Sequence, residues 1–254
     1  SKCNVPNYTS LLLIGPTGSG KSSLVNKISG ALDNLFISER AQVSYNSSTG
    51  EGTHFLHGYR VPRCLGSFCL YDTRSLSPDS SENLKTLECW MTKGVRHGEL
   101  VKRDSDSKDL KAQLKCKARS ICSSDQLTAI NFVIFVVNGL SVLESMDNID
   151  EKKKLYCQMI ATNYKCPVLS FKDDKPVVVV THGDLMSLSD RARVRVYLGQ
   201  LLGINPSRQI FDIPENNDSA TTLAIVDMLI YCFERADRNF PAKDLFVDKV
   251  WLLS

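Results

Sequence analysis

Gly15, Pro16, Thr17, Gly18, Ser19, Gly20, Lys21 and Ser22 follow the order glycine, four residues, glycine, lysine, serine. That spacing suits capture of a phosphate chain. Glycines let a loop wrap around an anion and point successive backbone N–H groups inward, at conformations and approach distances that a Cβ would obstruct. Lys21 then supplies a mobile ammonium to the terminal phosphates, and Ser22 presents a hydroxyl to Mg²⁺. A helix starting there would aim the positive end of its dipole at the same charge. The binding set is expected to run from Gly15 to Ser23. A glycine-rich turn without a ligand is the alternative. The flanks argue against it: residues 10–14 are a short apolar run, and Leu24, Val25, Ile28, Leu32 and Leu35 recur at helical intervals through 22–36.

Asp72 closes a second apolar run, 67–71. A carboxylate at a strand end can hold Mg²⁺, usually through water, which is the Walker-B role in P-loop nucleotidases. Within the polar stretch 38–52, Thr49 is the residue expected to close on the metal and the terminal phosphate, with Ser48 and Thr53 as rivals. The metal set is therefore Ser22, Thr49 and Asp72. A third run, 177–180, ends in Thr181, His182, Gly183 and Asp184. Guanine shows an N1–H and an exocyclic amine side by side, and one carboxylate accepts both, whereas adenine has no donor at N1. Asp184 is thus a candidate for reading guanine, with the His182 ring laid along the base. The same four residues also suit a helix start with Asp184 as its cap.

These residues must be positioned by alternating elements. Residues 129–137 and 175–180 are continuous and β-branched, as strands covered on both faces of a parallel sheet are. Residues 54–61 and 67–71 read as a hairpin around Pro62, and 209–213 as a further short strand. Helical spacing marks 150–164, 189–202 and 221–236. The alternation predicts an α/β fold: a three-layer, doubly wound, mostly parallel sheet of about six strands, with ligands at the carboxyl ends of the strands. Residues 75–126 read as irregular. Within them 93–119 holds nine Lys or Arg against four Asp or Glu, a basic insertion around 76–126 that reads first as a solvated face.

The 254 residues suit one nucleotide-binding domain spanning 1–254, and 43% hydrophobic with 23% charged residues disfavours a disordered or fibrous chain. A net charge of +3 gives no mandate for nucleic acid or a membrane surface, and no apolar run approaches the length of a transmembrane helix. Nine cysteines without a CxxC pair fit a reducing compartment. His54, His57, Cys64 and Cys69 cluster in sequence but match no zinc-ligand spacing. The expected location is cytoplasmic or nuclear, with targeting left open because the first residue is Ser1.

Taken together, 15–22, Asp72 and 181–184 resemble the GTPase branch of P-loop proteins, of the TRAFAC type. Within it the chain is most similar to the interferon-induced protein 44-like family. The resemblance covers roughly 11–239 and includes LLLIGPTGSGKSSLVNKI, the Ser-Thr-Gly at 48–50 and the Thr-His-Gly-Asp. Septins and immunity-associated GTPases look like more distant relatives. The resemblance implies a mixed six-stranded sheet, and it makes 214–218, with Glu215 and Asn216, the last base-contacting loop. A GTP-dependent homodimer or a protein effector is the partner it implies.

Two departures bear on turnover. The usual Asp-x-x-Gly reads Asp72, Thr73, Arg74, Ser75, and Leu76 follows where many signalling GTPases carry a water-orienting glutamine. The expected activity is GTP binding with weak or partner-assisted hydrolysis to GDP and phosphate, using Lys21, Thr49, Asp72 and Arg74, the last as a cation for phosphate charge. Two alternatives are a pseudo-GTPase interaction module without turnover and an ATP-dependent P-loop kinase whose lid would be 93–119.

Overall fold

The computed structural model describes residues 8–36, 53–61, 68–120, 126–147 and 151–239. Thr49 and Ser48 lie outside these residues, as do Cys64 and the loop 62–67.

The apolar run at the start forms β1 (Thr9–Ile14), and the glycine-rich loop leads into α1 (Lys21–Phe36). β2 (Phe55–Val61) and β3 (Phe68–Asp72) pair antiparallel, as the hairpin reading expects. Then come α2 (Ser80–Lys93), the two-residue β4 (Glu99–Leu100) and α3 (Lys108–Ser120). β5 (Phe132–Asn138), α4 (Gly139–Asp147), α5 (Glu151–Tyr164), β6 (Val177–Thr181), α6 (Leu188–Leu202), α7 (Pro206–Gln209), β7 (Ile210–Asp212) and α8 (Ser219–Asn239) complete the order.

The sheet runs β4-β2-β3-β1-β5-β6-β7. β1 is parallel to both β3 and β5, and β5, β6 and β7 continue parallel, so chain order reverses direction beside β1. Such a switch point opens a crevice at the strand ends, and the loop after β1 sits in it. Side chains alternate across the sheet. Leu12, Ile14, Val133, Phe135, Val178 and Val180 point to one face and pack with Leu87, Trp90, Ile160 and Leu198 of α2, α5 and α6. Leu11, Leu13, Ile134, Val136, Val177 and Val179 point to the other and pack with Leu24, Ile28, Ile225 and Met228 of α1 and α8. Three layers result. Because both faces are covered, the central strands need apolar residues at every position.

Two expectations change. The described part of 75–126 is not irregular: it carries α2 and α3, and β4 adds a seventh strand on the β2 edge. Asp79 caps α2 by accepting from the Ser81 N–H at 2.9 Å, and Gly94 ends it at φ 91°. A Cβ on Gly94 would stand 2.6 Å from the Thr128 carbonyl, which closes this segment against the approach to β5. The second change is that β5 begins at Phe132 rather than 129, because Asn131 accepts the Ser10 N–H on its side chain at 2.7 Å while its own N–H goes to the Ser10 carbonyl at 2.9 Å. No helix among the described residues is long and apolar enough to cross a membrane.

Candidate phosphate and base site

The loop 15–20 is built around backbone proximity. A Cβ on Gly15 would fall 2.1 Å from the Val136 carbonyl, so only glycine lets β1 turn beside β5. Gly18 and Gly20 take φ 73° and 81°, left-handed conformations that turn the chain back into α1. Two neighbouring strand ends clamp the loop. Thr181 Oγ1 lies 2.9 Å from the Ser19 carbonyl, and Asn138 Nδ2 donates to the Gly18 carbonyl at 3.2 Å.

Lys21 is buried, and its Nζ donates to the carbonyls of Gly15 at 3.1 Å and Pro16 at 3.3 Å and to Ser75 Oγ at 3.0 Å. Burial pushes its pKa down to about 8, against the pull of the Asp72 carboxylate, while the nearby Arg103 charge acts with burial. Ser22 Oγ donates to Asp72 Oδ2 at 2.6 Å and lies 3.3 Å from Thr53 Oγ1. Asp72 is almost wholly buried at the end of β3, and burial raises its pKa above the usual carboxylate range, opposed by the Ser22 hydroxyl and by Lys21. Its other oxygen, Oδ1, is buried with no hydrogen-bond partner among the described residues. Burying a carboxylate oxygen unpaired is costly, and a hard divalent cation held with the Ser22 hydroxyl would satisfy it. The residues therefore fit Mg²⁺. Elsewhere among the described residues, no group of three or more His, Cys, Asp or Glu is arranged to hold a metal ion.

Beyond β6, His182 adopts φ 60°, and the chain makes a single 3₁₀ turn over Gly183–Leu185. A Cβ on Gly183 would meet Asp212 Oδ1 at 2.5 Å, so a larger residue there would have to displace the Asp212 carboxylate. This turn leaves Asp184 exposed, with Oδ1 accepting the Glu215 N–H at 3.0 Å. That amide, with His182 and Lys27 nearby, holds the Asp184 carboxyl below the usual range and ionised at neutral pH. Its remaining lone pairs can take further donors. Asp184 caps no helix here. The His182 ring is drawn back to Thr181, Nδ1 to Oγ1 at 2.8 Å.

Lys27 reaches from α1 to the Asn216 carbonyl at 3.0 Å and stands 3.7 Å from Glu215 Oε2. Ser23, Asn26, Glu215 and Asn216 line a cleft of about 500 Å³ between α1 and the loop before α8. The base-side candidates Asp184, Glu215 and Asn216 thus come together, and Ser23, from the expected phosphate-binding run, shares the cleft with Glu215 and Asn216.

Arg74 is placed differently from its expected role. Its side chain and that of Asp106 are 8% and 4% exposed, and they form a two-point ion pair, Nη1 to Oδ2 at 2.8 Å and Nη2 to Oδ1 at 2.5 Å. Nη1 also donates to the Val101 carbonyl at 2.9 Å. The guanidinium is thereby committed to the β4–α3 segment. Leu76 packs into the core beneath α2, and its N–H bonds the Gly15 carbonyl at 2.9 Å. Asn138 and Arg103 escaped sequence reasoning as site members. Ser75 was read only as the residue in place of the switch glycine and Thr53 only as a rival to Thr49, whereas Ser75 Oγ accepts from Lys21 and Thr53 Oγ1 meets the Ser22 hydroxyl.

No protein family and no curated protein matches the chain. Among solved structures, it is similar to a "probable GTP-binding protein engB" at 11% identity, covering 89% of this chain and 100% of that one with a TM-score of 0.44. It is also similar to the signal recognition particle receptor SRb-GTP/SRX complex from Chaetomium thermophilum at 14% identity, covering 89% and 98% with a TM-score of 0.47.

Proposed function

We propose that this chain binds guanine nucleotide with Mg²⁺ and acts as a regulatory GTP-binding protein whose own hydrolysis is slow. One observation carries the reading: Thr181 joins the strand end bearing Asp184 to the carbonyl of Ser19, so the phosphate loop and the guanine-reading carboxylate share one edge of the sheet. The backbone N–H groups of 15–20 would cradle the phosphates and Lys21 would neutralise them. Ser22 and Asp72 would hold Mg²⁺, with Thr53 or Thr49 beside them; the ion would draw charge from the β- and γ-phosphate oxygens. Asp184 would accept both guanine donors, and the loop through Glu215 and Asn216 would close over the base. The motif resemblance to the interferon-induced protein 44-like family supports the same assignment, and we extend the reading to a cytoplasmic or nuclear setting and a protein partner, a second copy or an effector.

Slow turnover follows from Ser75 and Leu76. The first replaces the glycine whose N–H would meet the γ-phosphate; the second is a buried apolar side chain that cannot orient water. These two residues also favour a second reading, a pseudo-GTPase that binds without turnover. Phosphate release per molecule, followed across a hundredfold range of protein concentration, separates the two. We expect slow release at low concentration and acceleration when a second protein surface supplies a cation, an effect of roughly 10³ to 10⁵ where an arginine is provided in trans. Fast, concentration-independent turnover by a monomer would contradict this. Tight GTP binding with no release at any concentration would select the pseudo-GTPase.

A further inference from the structure

Arg103 lies close enough to Lys21 for its charge to act on that ammonium, and it is less completely paired than Arg74. Arg74 is neutralised by Asp106 at two points. Arg103, in the turn between β4 and α3, forms no ion pair with a carboxylate among the described residues; its Nη2 donates to the Ser75 carbonyl. Ser75 Oγ accepts from Lys21 Nζ at 3.0 Å. Two cations therefore converge on the two acceptors of one residue, at the mouth of the phosphate loop. Asp72 offsets the Lys21 charge in part, and Glu82 and Asp106 offset Arg103 from beyond ion-pair distance, so an anion placed between the two cations would complete a compensation that these carboxylates only begin.

The turn that carries Arg103 is held from behind. Asp106 Oδ2 accepts the Arg103 backbone N–H at 2.9 Å while the same carboxylate binds Arg74. Asp106 is thus a positioning residue, fixing the Arg103 backbone to the end of β3. Guanidinium has five donors, and the Ser75 carbonyl takes one of them, which leaves a fork that matches phosphate oxygens.

We propose that Arg103 is a second cationic contact, beside Lys21, for the terminal phosphate of a bound nucleoside triphosphate, coupling the β4–α3 segment to the presence of that phosphate. This rests on the nucleotide reading above and extends it to residues that no phosphate-binding motif contains. The guanidinium would trade its Ser75 carbonyl, or one of its remaining donors, for a phosphate oxygen that a diphosphate lacks. The inserted segment would then report which nucleotide is bound.

The test compares affinities for the slowly hydrolysed GTPγS and for GDP, in Mg²⁺, for the parent protein, Arg103→Gln and Arg103→Lys. Gln keeps a donor for the Ser75 carbonyl without the charge, so the turn should stay folded. We expect Arg103→Gln to lose at least about tenfold in GTPγS affinity, the scale of one charge-assisted hydrogen bond, while GDP affinity stays within about twofold. Arg103→Lys should fall between. In the parent, amide exchange across 102–106 should slow more with GTPγS than with GDP, and this difference should vanish in Arg103→Gln. An unchanged ratio of the two affinities, equal losses for both nucleotides, or exchange that does not distinguish them in the parent would overturn the inference while leaving nucleotide binding intact. A parent protein that binds neither nucleotide would overturn the underlying reading and this inference with it.

Discussion

Lys21 is the side chain whose removal should separate phosphate capture from folding. Its ammonium is buried and contacts only polar groups, the carbonyls of Gly15 and Pro16 and the hydroxyl of Ser75, and burial lowers its pKa to about 8. A charge held against its own desolvation contributes little to the fold. Lys21→Ala should therefore remain folded yet lose the thermal stabilisation conferred by GTP, which for the parent is about 2.7 kcal/mol at a hundredfold excess over Kd. Thermal unfolding with and without nucleotide checks this; an equal gain in both proteins would mean that the loop does not hold phosphate. At this scale the sequence was legible where chemistry is local. The glycines of 15–20 and the Lys-Ser pair lie within eight residues, and the structure folds them as one tight turn into α1. The contacts of Asn138, of Arg103 and of Ser75 with Lys21 were not legible, because each is made across 28 to 120 residues of chain. Arg74 misled for the same reason: its proximity to Asp72 in sequence suggested phosphate, whereas Asp106 determines where it points.

Among the elements, the β4–α3 segment depends most on a single interaction. Arg74 and Asp106 are both buried, so removing one partner strands the other charge; Asp106→Ala should cost about 3–5 kcal/mol in urea unfolding. The pair also sets an acid limit. Arg74 holds the Asp106 carboxyl below the usual range, helped by the Arg103 N–H, so protons bind it more readily in the unfolded chain. Its contribution is complete above the unfolded value of about 3.9 and is lost as pH falls through the lower folded value. The stability difference between parent and Asp106→Asn should accordingly be steady at neutral pH and shrink below about pH 4; a difference constant down to pH 3 would contradict the assignment. Sequence reading left this segment irregular because β4 has only two residues, too few for a period. α3 is highly charged and buries little, so its apolar signal is faint. By contrast β5 and β6 were plain, since a strand covered on both faces must be apolar throughout.

For the whole molecule, the parallel order β3-β1-β5-β6-β7 brings the loop after β1, Asp72 at the end of β3, Asn138 at the end of β5 and Asp184 after β6 to one edge. The βα alternation made that convergence foreseeable, while the seventh strand was not. The central claim is that this edge reads a guanine base while holding its phosphates, and it is tested most directly by equilibrium binding of GTP, ATP and xanthosine triphosphate to the parent and to Asp184→Asn in Mg²⁺. With two charge-assisted hydrogen bonds at stake, each about 1.5 to 3 kcal/mol, the parent should favour GTP over ATP by at least about a hundredfold. Asp184→Asn should transfer that preference to the xanthine nucleotide, whose carbonyl accepts from an amide. Equal affinity for GTP and ATP, or a variant that still prefers GTP, would contradict the account.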